Sequence, residues 1–408
     1  MKKIFIRRIR RIITLLILAS ISFAALNIFM NRKANMISAN LINKLRLDNV
    51  MPLKSSKTNW DDKEMVLYNT YFGMLHSHTN YSDGQGTPEE AYAMAKANAD
   101  FFAVTEHAYL LDGEKDAALL NADGTEKNCI KISKEWKSLH DIADKYNEDG
   151  KFAAIAGYEM TWNKNTGGYG HINTFNTAGF EARTHAYENL KKYYYDISKL
   201  PYSISQFNHP GTQYGDFDDF SYRTEEIDNV VNLIEVGNGE DPIRSSLYYT
   251  SYDYYTRALD KGWHLAPVSN QDNHKGNWIK ANDARTVILA PSLTRTELYK
   301  ALKNMRVYST EDKNLKINYT VNNKIMGSKL DQSSSLNFVI NVNDQDETDK
   351  IKSISVIVNG GKIVKTKKFN SNKASWKFSL HPKYSYYYLK IVEADKDIAV
   401  TAPVWTGN

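Results

Sequence analysis

The sequence predicts an α/β fold, a barrel or an open parallel sheet over residues 68–312, followed by a small antiparallel β-sandwich over 313–408. Three observations carry this expectation. From Tyr68 to about Ser309, short apolar runs alternate with helix-like stretches, the pattern of a sheet covered by helices. The helices have legible starts: Thr87-Pro88-Glu89-Glu90 offers an N-cap, a proline in the first turn and a reciprocating glutamate, and Thr294 with Glu297 repeats the arrangement. After Glu311 the character changes to short strand-like segments, several alternating apolar and polar residues, at Ser335–Val342, Ile351–Val358, Ala374–Leu380 and Tyr386–Val392. Turns such as Asn359-Gly360-Gly361 separate them.

In the α/β part the expected strands are Tyr71–Leu75, Phe101–Thr105, Phe152–Ala156, Ile172–Phe175, Ser203–Phe207, Val231–Val236, Leu265–Val268 and Thr286–Leu289. With 408 residues, 42% hydrophobic and 24% charged, the chain is neither mainly disordered nor a multi-span membrane protein. Cys129 is the single cysteine, which excludes an intramolecular disulfide and a cysteine-rich zinc module. The net charge of +5 comes from the leader. Residues 1–33 hold eight Lys/Arg and no acid, and the rest has 44 bases against 47 acids, so a nucleic-acid partner is not expected.

That leader has a basic start, an uncharged apolar run from Ile12 to Met30, and then Arg32 and Lys33. It reads as a membrane anchor, since nineteen helical residues reach about 28 Å, or as a signal peptide cleaved near Ser22-Phe23-Ala24. Either way the bulk of the chain lies outside the cytoplasm, membrane-anchored or secreted. Residues 34–67 are polar and read as a stalk.

Six of the ten histidines fall in short pieces that follow or end an expected strand. His76 and His78 stand in L-H-S-H-T; two apart on an extended chain, they face the same side. Asp83 follows in Y-S-D-G. His107 ends F-F-A-V-T-E-H, and Glu159 ends A-I-A-G-Y-E. His171 lies in Y-G-H-I-N and His209 in Q-F-N-H-P-G, while Asp272 and His274 are again two apart in Q-D-N-H. A single histidine beside a strand is ordinarily a satisfied polar residue. Six histidines with three carboxylates at strand C-termini, where a parallel barrel gathers its active site, point to metal binding instead. Imidazole and carboxylate without thiolate suit zinc, manganese or iron(II).

Between Tyr68 and Ser309 these motifs resemble the PHP (polymerase and histidinol phosphatase) superfamily, and within it the CehA/McbA-type metallohydrolases. The tail Thr401-Ala402-Pro403-Val404-Trp405 is also similar to that branch. The resemblance implies a distorted seven-stranded (β/α) barrel holding two or three divalent metal ions. It implies His76, His78 and Asp272 on the first ion, Glu159 bridging to a second completed by His171 and His209, and Asp83, His107 and His274 around a third. The family usually has aspartate where this chain has Glu106, which is expected to orient His107.

The implied reaction is attack on a phosphoric mono- or diester by a hydroxide held between metals, with Glu159, Asp272 and His209 central to it. The substrate is a small molecule or an envelope polymer. Hydrolysis of carboxylic or carbamic esters is the alternative on the same ligands, and a non-catalytic envelope-binding protein is the second. No G-x-S-x-G elbow or G-x-x-x-x-G-K-[ST] loop occurs to suggest other chemistry. Arg285 is a further candidate, for substrate phosphate, against the plainer reading of a surface ion pair. His264 is expected outside the site, and His140, His185 and His381 at the surface. Residues 315–408 carry 14 Lys against 8 acids, read as a solvated face.

Overall fold

A single mixed sheet runs through most of the described residues and carries all nine expected metal ligands on its strands or the loops beyond them. The structure, a computed structural model, describes residues 50–51, 68–111, 130–162, 168–181, 189–200 and 202–407. The leader, nearly all of the 34–67 segment, Cys129 and His185 lie outside the described residues. Among the described residues no helix is long and apolar enough to cross a membrane.

Leaving aside two-residue strands, the first part has nine among the described residues: β1 Asn69–Met74, β2 Phe101–His107, β3 Ala153–Trp162, β4 Gly170–Phe175, β5 Ile204–Asn208, β6 Val231–Asn238, β7 Ala266–Asn270, β8 Arg285–Ala290 and β9 Val307–Thr310. In space they run β7-β6-β5-β4-β3-β2-β1-β8-β9. Pairs β1/β2, β2/β3, β5/β6 and β6/β7 are parallel. Pairs β3/β4, β4/β5, β1/β8 and β8/β9 are antiparallel. An all-parallel sheet is therefore not what forms. At β3/β4 the reason is local: only seven residues separate the strands, too few for the crossover that a parallel pair needs.

The sheet curls until β7 packs on β8 and β9. The described pairings include no backbone ladder between β7 and β8. Instead the Thr286 hydroxyl donates to the Ser269 carbonyl (2.9 Å) and accepts from the Ser269 amide (3.2 Å). What the described residues form is thus a curled mixed sheet in which the edge strand β7 meets the inner strand β8 through a side chain, while past the strand ends Ser77 and Asn273 form a backbone bridge.

Strands β2, β3, β6 and β8 are buried along their whole length, as expected of strands covered on both faces. Strand β3 runs on to Trp162, so Glu159 sits inside it rather than at its end. The longer helices are α1 Pro88–Lys96, α2 Lys134–Tyr146, α3 Leu190–Ser198, α4 Tyr252–Asp260 and α5 Arg295–Lys303. Thr87 and Glu90 form the expected reciprocal cap. At α5 only half of it forms: Thr294 accepts from the Glu297 amide, while the Glu297 carboxylate turns forward to Lys300 (2.6 Å).

The longer C-terminal strands are β10 Lys316–Val321, β11 Leu336–Asn343, β12 Ile351–Val358, β13 Lys362–Ser371, β14 Lys373–Leu380, β15 Tyr386–Glu393 and β16 Ile398–Thr401. β10, β11 and β14, with Lys324–Ile325, make a separate antiparallel sheet. β16, β15, β12 and β13 do not. They extend the first sheet, because Tyr308, Ser309 and Thr310 of β9 pair with Thr401, Val400 and Ala399 of β16. The two layers share one core, in which Leu336, Phe338, Ile340 and Val342 of β11 are buried, as are Leu389 and Ile391 of β15. The sequence offered no strand at β13, which has too few apolar residues. It is an exposed edge carrying Lys362, Lys365, Lys367 and Lys368, charges that discourage pairing with another chain.

Candidate metal centre

All nine residues implied as ligands meet at one end of the curled sheet. Beyond β1 the chain stays extended through Leu75-His76-Ser77-His78. Ser77 is held on the far side, bridging Asn273 and donating its hydroxyl to the Ala103 carbonyl (2.7 Å). Period-two alternation then turns both imidazoles inward. Their Nε2 atoms stand 3.2 Å apart, and Asp272 Oδ1 lies 3.0 Å from His76 and 3.1 Å from His78.

Glu159 reaches the same point from β3, with Oε1 at 3.2 Å from His76 Nε2 and Oε2 at 3.4 Å from His78 Nε2. Register places His171 opposite Thr161, two residues on from Glu159, and His171 Nδ1 is 3.1 Å from Glu159 Oε1. His209 Nε2 is 3.7 Å from both Glu159 Oε1 and Asp272 Oδ2. On the other flank, Asp83 lies 3.5 Å from His107 Nε2 and 3.3 Å from His274 Nε2. His76, His78 and Asp272 form one group, Glu159, His171 and His209 a second, and His78, Asp83, His107 and His274 a third. In each, the ligand atoms lie within 4.8 Å of one another.

Two of these positions have left-handed backbone, His209 (φ 29°) and Asp272 (φ 50°). Such conformations cost about 1–3 kcal/mol and persist only where neighbours hold them. Glu235 accepts the His209 amide (2.7 Å), and Glu240 accepts the His274 amide (2.8 Å) just past Asp272.

The electrostatics are those of ligands competing for protons. Burial opposes charge on His76, yet Asp272, Glu235 and Glu159 overcome it and hold its pKa well above the ordinary value. The same contest, won by Glu159 and Asp83, raises His107. His78 goes the other way, down to about 4, through burial and the neighbouring His107. Burial also lowers His171, against the pull of Glu159. Glu159 and Asp272, although buried, are held well below the carboxylate range by the histidines around them.

The donor set fits a cation. Both ring nitrogens of buried His209 lack hydrogen-bond partners, a costly state for buried polar atoms unless something else binds them. His76 and His78 bring two Nε2 atoms to one carboxylate oxygen, and imidazole and carboxylate are the ligands that zinc, manganese and iron(II) share.

Two expectations fail. Glu106 does not orient His107: consecutive residues of β2 point to opposite faces. Its buried carboxylate accepts from the Thr79 amide (3.1 Å) and from the Thr79 and Ser82 hydroxyls, and lies 3.9 Å from His78 Nδ1. Burial pushes its pKa up to about 7 despite those bonds. His107 is held instead by Thr161 Oγ1 (2.7 Å) and Glu159 Oε2 (2.8 Å). Arg285 is neither a surface ion pair nor in contact with the nine among the described residues. It is buried, and its guanidinium folds back onto the Asn282 and Ala284 carbonyls (2.8 and 2.7 Å).

Of the remaining histidines, His264 pairs with Asp228 (2.8 Å) and His381 is exposed. His140, expected at the surface, is half-buried against the Trp136 ring, its pKa lowered to about 4 by burial.

Sequence reasoning missed Glu235. Fully buried in β6, it contacts His76 Nδ1 at 2.9 Å and accepts from Asn238, Asn270 and Gln206. The available signal was a lone carboxylate inside the apolar run Val231–Val236, which burial alone would not tolerate. Asn208, whose amide donates to Glu159 Oε1 (2.8 Å), and Tyr214, whose ring lies 4.3 Å from that of His209, were missed too.

Comparison with known proteins gives distant similarities. A family model described as a protein of unknown function (DUF3604) matches residues 87–188, the stretch containing His107, Glu159 and His171. An uncharacterised protein of Chlamydia pneumoniae is 20% identical over 304 residues, which is 66% of this chain and 49% of that protein. The chain thus spans about half the length of this curated relative. A solved two-domain structure from Bacteroides vulgatus, described as containing a predicted PHP-like metal-dependent phosphoesterase, is 15% identical with a TM-score of 0.43, covering 83% of this chain and 96% of that one.

Proposed function

We propose that the chain is a metal-dependent hydrolase of phosphoric mono- or diesters that acts outside the cytoplasm, anchored or exported through residues 1–33. The observation that carries this reading is the convergence of three His/carboxylate groups, two of them sharing His78 and the third built on Glu159, with both ring nitrogens of His209 left without a hydrogen-bond partner. A cleft of about 410 Å³ opens beside them, lined by His107, Tyr109, Thr161, Trp162, His171 and Tyr214 among others. That volume suits a small phosphoester or the end of a polymer chain.

His76, His78 and Asp272 would hold one ion, Glu159, His171 and His209 a second, and Asp83, His107 and His274 a third. Bound divalent ions supply Lewis acidity toward a phosphoryl oxygen and a water that ionises near neutrality. The protein's own part is positional. Glu235 fixes the His76 ring, Asn208 steadies Glu159, and Thr161 steadies His107. Burial and the Asp272 charge raise the Tyr214 pKa, so its hydroxyl stays protonated and can donate a hydrogen bond to a substrate oxygen in the cleft.

The test is metal content per chain of the full-length protein, with turnover of a phosphodiester, a phosphomonoester and a carboxylic ester, beside His76→Ala/His78→Ala. Two or three ions with phosphoester turnover that disappears in the variant support the proposal. Turnover confined to the carboxylic ester moves it to the carboxylic or carbamic reading. Less than one ion per chain under Zn²⁺ or Mn²⁺ loading, with no turnover, sinks both and leaves an envelope-binding protein.

A further inference from the structure

Far along the chain from the histidines, carboxylates occupy positions where the period-two pattern of the sandwich calls for apolar residues. In β11, Leu336, Phe338, Ile340 and Val342 face the core, and the next inward position is Asp344. In the opposite layer Leu389 and Ile391 of β15 face the core, and the next is Glu393. Both side chains are buried, with residue exposures of 0% and 2%. Asp312, 7% exposed, joins them from the segment that leaves β9, and Asp349 from the turn before β12, where Ile351 pairs with Glu393.

Oxygens of Asp312, Asp344 and Asp349 lie within 4.8 Å of one another. Asp312 spends one oxygen on the Asn314 and Leu315 amides, and Asp344 spends one on the Asp346 amide. The second Asp344 oxygen, Oδ2, and Glu393 Oε1 are buried without any hydrogen-bond partner. Among the described residues none of Asp312, Asp344 and Glu393 has an ion-pair partner, and the nearby Arg244 is taken by Asp397 (2.5 Å). Burial, reinforced by the Asp312 and Asp344 charges, pushes the Glu393 carboxyl well above the ordinary range. A buried oxygen on each inner face has no donor, and Arg285, whose charge reaches Asp312, spends its guanidinium NH1 on the Asn282 and Ala284 carbonyls, so the two oxygens ask for a further positive partner.

We propose that Asp312, Asp344 and Asp349, with Glu393 beside them, form a structural site for a hard divalent cation, Ca²⁺, that clamps the two layers of the sandwich to the segment leaving β9. Carboxylates from four separate segments suit the flexible, all-oxygen coordination of Ca²⁺ better than the strict octahedron of Mg²⁺. The absence of imidazole and thiolate makes this a different chemistry from the histidine centre.

Calorimetric titration of the chelator-treated full-length protein with Ca²⁺, and separately with Mg²⁺, tests this, with Tm followed in parallel. One Ca²⁺ per chain, bound more tightly than Mg²⁺ and raising Tm by about 3 °C or more, is expected. Glu393→Gln keeps the shape of the protonated acid, and Asp349 lies in a half-buried turn, so E393Q and D349N both fold. Each should weaken Ca²⁺ binding by about tenfold or more, while His76→Ala/His78→Ala leaves it intact. Three results would overturn the site: no saturable Ca²⁺ binding up to millimolar, Ca²⁺ affinity unchanged in E393Q and D349N, or binding lost with the histidines. A rise in Tm for E393Q, with no Ca²⁺ response in the wild type, would mean that the carboxyls share protons instead.

Discussion

Glu235 and His76 meet in a fully buried contact, Oε1 to Nδ1 at 2.9 Å. A carboxylate only accepts, so the Nδ1 of His76 carries the proton and Nε2 is the atom presented to Asp272 and His78. Glu235→Gln would set an amide NH₂ among donors from His209, Asn238 and Asn270. Metal affinity should fall by about 10–100-fold while far-UV circular dichroism stays that of the folded protein. Unchanged affinity would remove Glu235 from the centre.

Metal uptake should be coupled to protons. Burial works against charge on His274, but its contact with Asp83 and the Asp272 charge raise its pKa to about 9. Only the neutral ring binds a metal, so below pH 9 a proton competes and affinity falls as pH falls. Between pH 8.5 and 6.5 the apparent affinity of the Asp83/His107/His274 group should drop by about tenfold per pH unit for each proton displaced. Titrations in two buffers of different ionisation enthalpy would register that proton release; a pH-independent affinity contradicts it.

Glu311 offers a test of stability away from the histidine centre. It is 3% exposed, and burial pushes its carboxyl up to about 7 even though the Ile398 amide and the Tyr252 hydroxyl donate to it. A folded pKa above the unfolded value of about 4.5 means that the folded state binds the proton more tightly. Stability is therefore full below about pH 4.5 and is lost as pH rises through 7, by roughly 3 kcal/mol at most. Glu311→Gln should match the wild type near pH 5 and exceed it in Tm at pH 8. Equal Tm values at both pH values would contradict the assignment.

Thr286 of β8 joins the edge strand β7 through Ser269 where the sheet curls on itself. Thr286→Val keeps the volume but leaves the buried Ser269 amide without its partner. A loss of about 1–3 kcal/mol in urea unfolding is expected, with Thr286→Ser retaining most of it. A neutral valine variant would show that the contact between β7 and β8 does not depend on these hydrogen bonds.

The nine residues of the centre were legible because each motif is local. Two residues apart on an extended chain share a face, which needs no tertiary information, and His76/His78 behave so. The strands were legible as apolar blocks, although their ends moved: β3 runs to Trp162 and β6 to Asn238, since polar residues at strand ends blur the block. Glu106 misled because its role was inferred from being next to His107, whereas neighbours on a strand face apart. Arg285 misled because a guanidinium that bonds to nearby carbonyls looks, in sequence, like one free to meet an anion.

Composition and spacing by themselves determined the α/β character of the first part, the antiparallel strands of the second, and the set of histidines and carboxylates, all consequences of short-range periodicity. Tertiary structure alone decided the rest. It set which strands run antiparallel, joined β9 to β16 so that one sheet serves both parts, placed Glu235 behind His76, and brought Asp344 and Glu393 to the same end of the core. Those relationships link residues 89 or more positions apart for the β9/β16 pairing and 159 apart for His76 and Glu235. Hydrophobic burial and ladder register fix such distances only once the chain has closed on itself, and no local pattern encodes them.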